Sequence, residues 1–349
     1  MVATPTLPIS DPVQAAASVR PMRVVAIGGG TGLSTLLRGL RQYVADPGHC
    51  VPPALISDLA AVVTVTDDGG SSGRLREEFN MLPPGDLRNC MVALSPEEDL
   101  LSRLFSHRFR AGHELKGHTL GNLFVAALTE ITGDFALAIQ LSSKILATRG
   151  HIYPATTANT TLTAQMDDGS LVRGETNITA SHRRIVELML EPPRPAPLPE
   201  TLDAIARADL ITVGPGSLYT SLITNLLVDG IATALEQAHG IRVYVCNLMT
   251  QANESLGLSA ADHIERIYAH TGAPIFDYAL INTGRFSSET LARYAVQGAF
   301  PIVADIERIK ALGVQVIAGD FAGEEAVVRH HSNRVTETLL ELGQSAVRA

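Results

Sequence analysis

The chain has 349 residues, 46% of them hydrophobic and 18% charged, with a formal net charge of −9. This is ordinary globular composition, long enough for one large α/β domain or a core with an insert. The acidic balance argues against nucleic-acid binding, and no apolar run reaches transmembrane length. Cys50, Cys90 and Cys246 have neither metal-ligand spacing nor a pairing pattern, as expected of reduced thiols in a cytoplasmic protein.

Residues 1–21 are rich in Ala, Pro, Ser and Thr without a long apolar core, which predicts a disordered tail rather than a signal peptide. The apolar run Arg23 to Ile27 then predicts a buried strand. Leu33, Leu36, Leu37, Leu40 and Val44 recur at helical spacing. Between them lies Gly28-Gly29-Gly30-Thr31-Gly32-Leu33-Ser34. Glycine allows positive φ and close approach to the backbone. The free N–H groups of a helix start, with the positive end of its dipole, attract anions. A strand-to-helix turn with this composition is therefore a candidate phosphate site. Leu33 stands where the third glycine of a G-x-G-x-x-G motif would be, so the common dinucleotide motif fails. No Lys-Ser or Lys-Thr pair follows either, which excludes a Walker loop.

The second strand, Leu59 to Thr66, completes a βαβ unit. It runs into Asp67-Asp68-Gly69-Gly70-Ser71-Ser72-Gly73-Arg74. The two acids fit three roles: ligands for a hard cation such as Mg²⁺, acceptors for sugar hydroxyls, or helix caps. Asp86, Arg88 and Asn89 follow Pro83-Pro84-Gly85. Arg88 fits either a bidentate phosphate contact or an ion pair with Asp86, Glu77 or Glu78.

Helical patterns follow over Asp99 to Phe109, Thr119 to Ile131 and Phe135 to Leu146. His118 and Asn122, at the head of the second, fit either ligand contact or capping. Strands at Thr160–Gln165 and Ser170–Gly174 flank a hairpin turn at Asp167-Asp168-Gly169. The proline-rich run Pro192 to Pro199 reads as a stiff connection.

Strands alternate with helices again from Asp203: Leu210–Val213, Arg242–Cys246, Tyr278–Ile281 and Val314–Ile317. The first enters Gly214-Pro215-Gly216-Ser217-Leu218-Tyr219-Thr220-Ser221, and the second ends at Asn247, with Thr250 and Gln251 close by. The whole predicts an α/β fold, a doubly wound, Rossmann-like and mostly parallel sheet with a mixed helical and β insert. The core takes residues 22–82 and 203–334, the insert 83–202, and a C-terminal helix or tail 335–349. Ligands of such sheets lie over the carboxyl ends of the strands, so these loops should converge. The Gly214 loop lacks G-x-S-x-G spacing, so Ser217 is a phosphate donor candidate rather than a nucleophile.

The glycine loop, the Asp67 to Arg76 run, Pro83 to Asn89, Gly117 to Leu123, Gly214 to Ser221 and Asn247 to Gln251 together resemble the gluconeogenesis factor family. The resemblance runs from about Met22 to Arg334. It implies a fold shared with 2-phospho-L-lactate transferase, which transfers a phospholactyl group from a guanosine diphosphate donor with Mg²⁺. It also implies binding of UDP-sugars such as UDP-N-acetylglucosamine, and an effect on cell shape and wall synthesis during gluconeogenic growth.

On this reading Gly29 to Ser34 and Gly216, Ser217, Thr220 and Ser221 hold a diphosphate. Asp67 and Asp68 hold sugar hydroxyls or Mg²⁺, and Asn247, Thr250 and Arg329 line the nucleoside. Gly70, Ser71, Ser72, Arg74, Asp86, Arg88, Asn89, His118, Asn122 and Gly214 complete the candidate set. A regulatory protein partner and a homo-oligomer are also expected. The chain departs from the family's pattern at Ala252-Asn253-Glu254-Ser255, at Thr224, and at Arg329-His330-His331.

Overall fold

The computed structural model describes residues 20–45, 54–96, 100–181, 183–251, 254–324 and 326–347. The predicted tail lies outside the described residues up to position 19, as do Cys50 and the pair Ala252 and Asn253. In chain order the strands are β1 (Met22–Gly28), β2 (Ile56–Val63), β3 (His151–Pro154), β4 (Thr161–Met166), β5 (Leu171–Arg173), β6 (Ile185–Glu191), β7 (Leu210–Val213), β8 (Ile241–Val245), β9 (Tyr278–Asn282), β10 (Gln315–Gly319), β11 (Ala322–Glu324) and β12 (Val328–His330).

Seven of them form one parallel sheet in the order β10-β9-β8-β7-β1-β2-β3. An interior strand, β1, is apolar on both faces because both are covered. Val25 and Ile27 enter one core layer, while Val24 and Ala26 enter the other. The chain winds from β1 to β2 on one side and from β7 to β8 on the other. The gap beyond the ends of β1 and β7 is therefore the topological switch point, where open α/β sheets bind ligands.

Helix α1 (Gly30–Leu40) follows β1 directly and buries Leu33, Leu36, Leu37 and Leu40 at the predicted period. It packs against a later helix, Gly85–Leu94, and against the C-terminal helix Ser332–Val347. The start of that terminal helix comes three positions before the predicted boundary of 335. Next in chain order come α2 (Gly70–Phe79), α3 (Gly85–Leu94), α4 (Leu100–Ser106), α5 (Leu120–Thr132), α6 (Phe135–Ile145) and α7 (Glu175–Ala180). The three helices α4 to α6 match the predicted stretches.

Four strands escaped the sequence reading: β3, β6 and the antiparallel pair β11 and β12. β3, inside the range assigned to the insert, pairs with β2 and forms the edge of the central sheet. It is only four residues long and carries an exposed His151, so it shows no apolar run. β6 pairs antiparallel with β4 beside the predicted β4–β5 hairpin, making a separate three-stranded sheet. Among the described residues no single helix is long and apolar enough to cross a membrane.

Candidate functional site

The glycine loop and the Gly214 loop meet at the switch point through their backbones. A Cβ on Gly32 would stand 2.5 Å from the carbonyl oxygen of Pro215, so the first turn of α1 can lie this close only with glycine there. Gly30 has φ +63° and nothing within 4 Å of where its Cβ would be. Its open side faces a cleft.

That cleft holds about 270 Å³. Its floor is Gly29 to Gly32, and one wall is Pro215, Gly216, Ser217 and Ser221. A second wall, from the loop after β8, is Asn247 to Gln251, and a third is Val327 to His330 with Tyr294. The walls are cross-tied. Gly216 N–H donates to Asn247 Oδ1 at 3.4 Å, and Gln251 Nε2 donates to Ser217 Oγ at 2.8 Å. Thr250 and Phe300 exchange two hydrogen bonds. Backbone N–H groups at a helix start, hydroxyls and one exposed arginine, Arg329, suit an anionic ligand with a polar end.

Beyond the glycine loop, four carboxylates sit on backbone N–H groups. Asp86 Oδ2 accepts from Gly30 N–H at 2.8 Å, on the N-terminus of α1. Asp67 Oδ1 accepts from Gly69 N–H at 2.9 Å. Asp68 Oδ1 accepts from the N–H and hydroxyl of Thr176 at 2.9 and 2.6 Å, capping α7. Glu254 accepts from the N–H groups of Tyr219 and Thr220 and from Thr220 Oγ1 at 2.8 Å. Each acid satisfies the positive end of a turn or helix. Crowding has a cost. Burial, with Asp67 nearby, pushes Asp86 up to about 6 despite the Gly30 hydrogen bond. Burial and then the charges of Asp67 and Asp86 push Glu175 up to about 9.

The next layer holds Ser71, His118 and Asn122. Ser71 Oγ lies 2.9 Å from His118 Nδ1 and accepts from Asn122 Nδ2 at 3.0 Å. Burial, then the Arg74 charge, pulls the His118 imidazole below its ordinary value. Arg88 is 9% exposed and makes no ion pair with Asp86, which bonds to Gly30 and Asn89 instead.

Of the predicted residues, Gly29, Gly30, Thr31, Gly32, Gly216, Ser217, Ser221, Asn247, Thr250 and Arg329 line the cleft. Asp67, Gly70, Ser71, Ser72, Asp86, Arg88, Asn89, His118 and Asn122 belong to the region around α2, α3 and the head of α5. Six further residues of the candidate set are engaged within the protein. Leu33 is a core residue, and Ser34 bonds back to Thr31 within α1. Gly214 lies against the Val245 carbonyl beneath the cleft. Thr220 is spent on Glu254, Asp68 on Thr176, and Arg74 on the Lys116 carbonyl. Tyr294, Val328 and His330 were missed as cleft residues. Tyr294 sits on a distant helix and reaches the wall by accepting from Val328 N–H, which no local pattern announces. Glu175 was missed because it is one acid at the head of a six-residue helix.

The fold and site define a class: a parallel α/β protein with a phosphate-type cleft at the switch point, bordered by an acid-rich second layer. The family model described as 2-phospho-L-lactate transferase CofD matches residues 24–322. The chain is 45% identical to the gluconeogenesis factor of Halalkalibacterium halodurans over 324 residues, 93% of this chain and 97% of that protein. To the gluconeogenesis factor of Bacillus subtilis it is 44% identical over 321 residues, 92% and 98% of the two. A crystal structure of a Bacillus halodurans protein superimposes with a TM-score of 0.86 at 45% identity, covering 92% of this chain and all of that one. The chain belongs to the gluconeogenesis factor family, within the broader CofD family.

Proposed function

We propose that this protein is a cytoplasmic nucleotide-sugar-binding regulator, with a UDP-sugar such as UDP-N-acetylglucosamine in the cleft. The observation that carries the reading is the meeting of two donor-rich loops at the switch point. The N–H groups of Thr31 and Gly32, with Ser217 and Ser221, suit a diphosphate. Asn247, Thr250 and Arg329 stand on the far walls, where a nucleoside would extend. In this role the protein would link nucleotide-sugar supply to cell shape and wall synthesis, through a protein partner and as a homo-oligomer. Titration calorimetry with UDP-N-acetylglucosamine tests it; no heat of binding at millimolar ligand overturns it.

A second reading, a Mg²⁺-assisted transferase of the 2-phospho-L-lactate type, draws support from the acid layer. Mg²⁺ is usually held by one or two carboxylates plus phosphate oxygens. The pair that fits is Asp67 and Asp86, whose charges feel each other. Asp68 stands beside them with Oδ1 on Thr176, as Asp67 has Oδ1 on Gly69 and Asp86 has Oδ2 on Gly30, so each keeps one carboxylate oxygen for a cation. Among the described residues no group of three acids, histidines or cysteines converges as a metal cage. When bound, Mg²⁺ would neutralise charge on a departing diphosphate. Turnover of a nucleoside-diphosphate-linked lactate by purified protein would favour this reading over the first.

A further inference from the structure

A serine hydroxyl has one proton to give and two lone pairs to receive. An amide nitrogen can only give. Where the two meet, the direction of the hydrogen bond is settled, and so is the availability of the serine proton. Gln251 Nε2 lies 2.8 Å from Ser217 Oγ, and both residues line the cleft. Ser217 Oγ therefore accepts from Gln251. Its own proton is left for whatever enters the cleft.

The amide is held from its backbone. Gln251 N–H donates to Ser255 Oγ at 3.0 Å, and its carbonyl accepts from the N–H groups of Glu254 and Ser255, both at 3.1 Å. The side-chain Oε1 is buried and has no partner among the described residues. Turning the amide over would bring Oε1 to Ser217 and orphan the nitrogen, with its two protons, in place of one oxygen. Buried donors left alone are rarer than buried carbonyls left alone, so chemistry favours the orientation seen.

The rest of this wall has fewer donors to offer than its composition suggests. Gly216 N–H is on Asn247 Oδ1 at 3.4 Å. The N–H groups of Tyr219 and Thr220, and the Thr220 hydroxyl, are on Glu254. Ser217 and Ser221 supply the hydroxyls that line the cleft from this side. Of these two, Ser217 is the one whose proton a neighbouring side chain directs.

We propose that Gln251 is a positioning residue that makes the Ser217 hydroxyl a one-way donor into the cleft. The wall then accepts a group rich in lone pairs, such as a phosphate oxygen, and rejects one that must donate there, such as an ammonium. A carboxylate at position 251 would do the reverse, taking the Ser217 proton and presenting the serine oxygen to the ligand. The inference deepens the proposed function and rests on it in one respect only, that a diphosphate reaches Ser217.

Titration calorimetry with inorganic pyrophosphate in EDTA at pH 8 asks for that contact alone. Ser217→Ala weakens binding about tenfold, the usual loss for a hydrogen bond to a charged group. Gln251→Leu weakens it about threefold or more, and Gln251→Glu at least about tenfold. Two readouts separate positioning from a structural role. Added to Ser217→Ala, Gln251→Leu costs less than about twofold, because the residue acts through the serine. Gln251→Glu recovers towards the wild type as the pH falls from 8 to 5, because a protonated carboxyl donates to Ser217 as the amide does, whereas Gln251→Leu does not recover.

Wild-type affinity in Gln251→Leu overturns the proposal. So does an equal loss with and without the Ser217 hydroxyl. Should Gln251→Leu unfold early, the pH recovery of Gln251→Glu decides alone: its presence supports the proposal and its absence overturns it. UDP-N-acetylglucosamine keeps the two readings apart. A wild type that binds pyrophosphate but not the UDP-sugar refutes the nucleotide-sugar reading and leaves the Gln251 series standing. Full UDP-sugar affinity in every Gln251 variant refutes the positioning role alone. A wild type that binds neither refutes both.

Discussion

Asp86→Asn isolates the electrostatics of the glycine loop. In the wild type the Asp86 carboxylate occupies the Gly30 N–H, at 2.8 Å, which a phosphate at the start of α1 would also want. Asparagine keeps an acceptor oxygen there and removes the charge. The carboxyl titrates near 6 rather than at its ordinary 3.8, and at 1.36 kcal/mol per pH unit this corresponds to about 3 kcal/mol. Asp86 keeps a partly exposed edge, so this figure is a ceiling. The sign follows from the raised pKa. Below the unfolded value both states hold the proton and there is no penalty. The penalty grows between 3.8 and about 6 and is complete above that. In metal-free buffer the variant should therefore gain up to roughly 5 °C in Tm at pH 8 and almost nothing at pH 4. UDP-sugar affinity in EDTA should rise about tenfold at pH 8, since one repulsive charge is gone. Differential scanning fluorimetry across pH, with calorimetry at the two ends, measures both. A variant that is less stable at pH 8, or whose gain does not depend on pH, would refute the reasoning.

Gly30→Val places a branched side chain in the open cleft at φ +63°. It should abolish stabilisation by UDP-sugar in a thermal-shift titration, while the backbone strain costs the fold only about 1–3 kcal/mol. Gly32→Ala acts differently, because its Cβ would meet the Pro215 carbonyl at 2.5 Å. It should destabilise the ligand-free protein by about 1–3 kcal/mol in denaturant unfolding, by prising the two loops apart. Arg329→Ala, on an exposed hairpin, should leave Tm unchanged and weaken UDP-sugar binding about tenfold by calorimetry.

Most core strands, and the loops that follow them, were legible because buried parallel strands are short apolar runs and their loops are glycine-rich. The first half of β1 and the turn into α1 need no tertiary information: Val24 to Ile27 must be covered on both faces. What stayed hidden depends on contacts between distant segments. β3 is an edge strand with an exposed histidine, and only its pairing with β2 reveals it. Asp67 and Asp68 are adjacent in sequence, yet they face Gly69 and Thr176, because the second is drawn onto a helix more than a hundred positions away. An ion pair between Asp86 and Arg88 was one of the alternatives their spacing left open, and the fold gives Asp86 the Gly30 N–H at a helix start. Thr220 looked like a phosphate donor from its loop, and only the fold brings Glu254 to it.

The central claim is that a nucleotide diphosphate lies at the switch point between β1 and β7. A crystal structure with UDP-N-acetylglucosamine tests it most directly. The account predicts the diphosphate over the N–H groups of Thr31 and Gly32 and the Ser217 and Ser221 hydroxyls, with the nucleoside between Asn247 and Arg329. Density for the nucleotide anywhere else, with the glycine loop empty at saturating ligand, would contradict it.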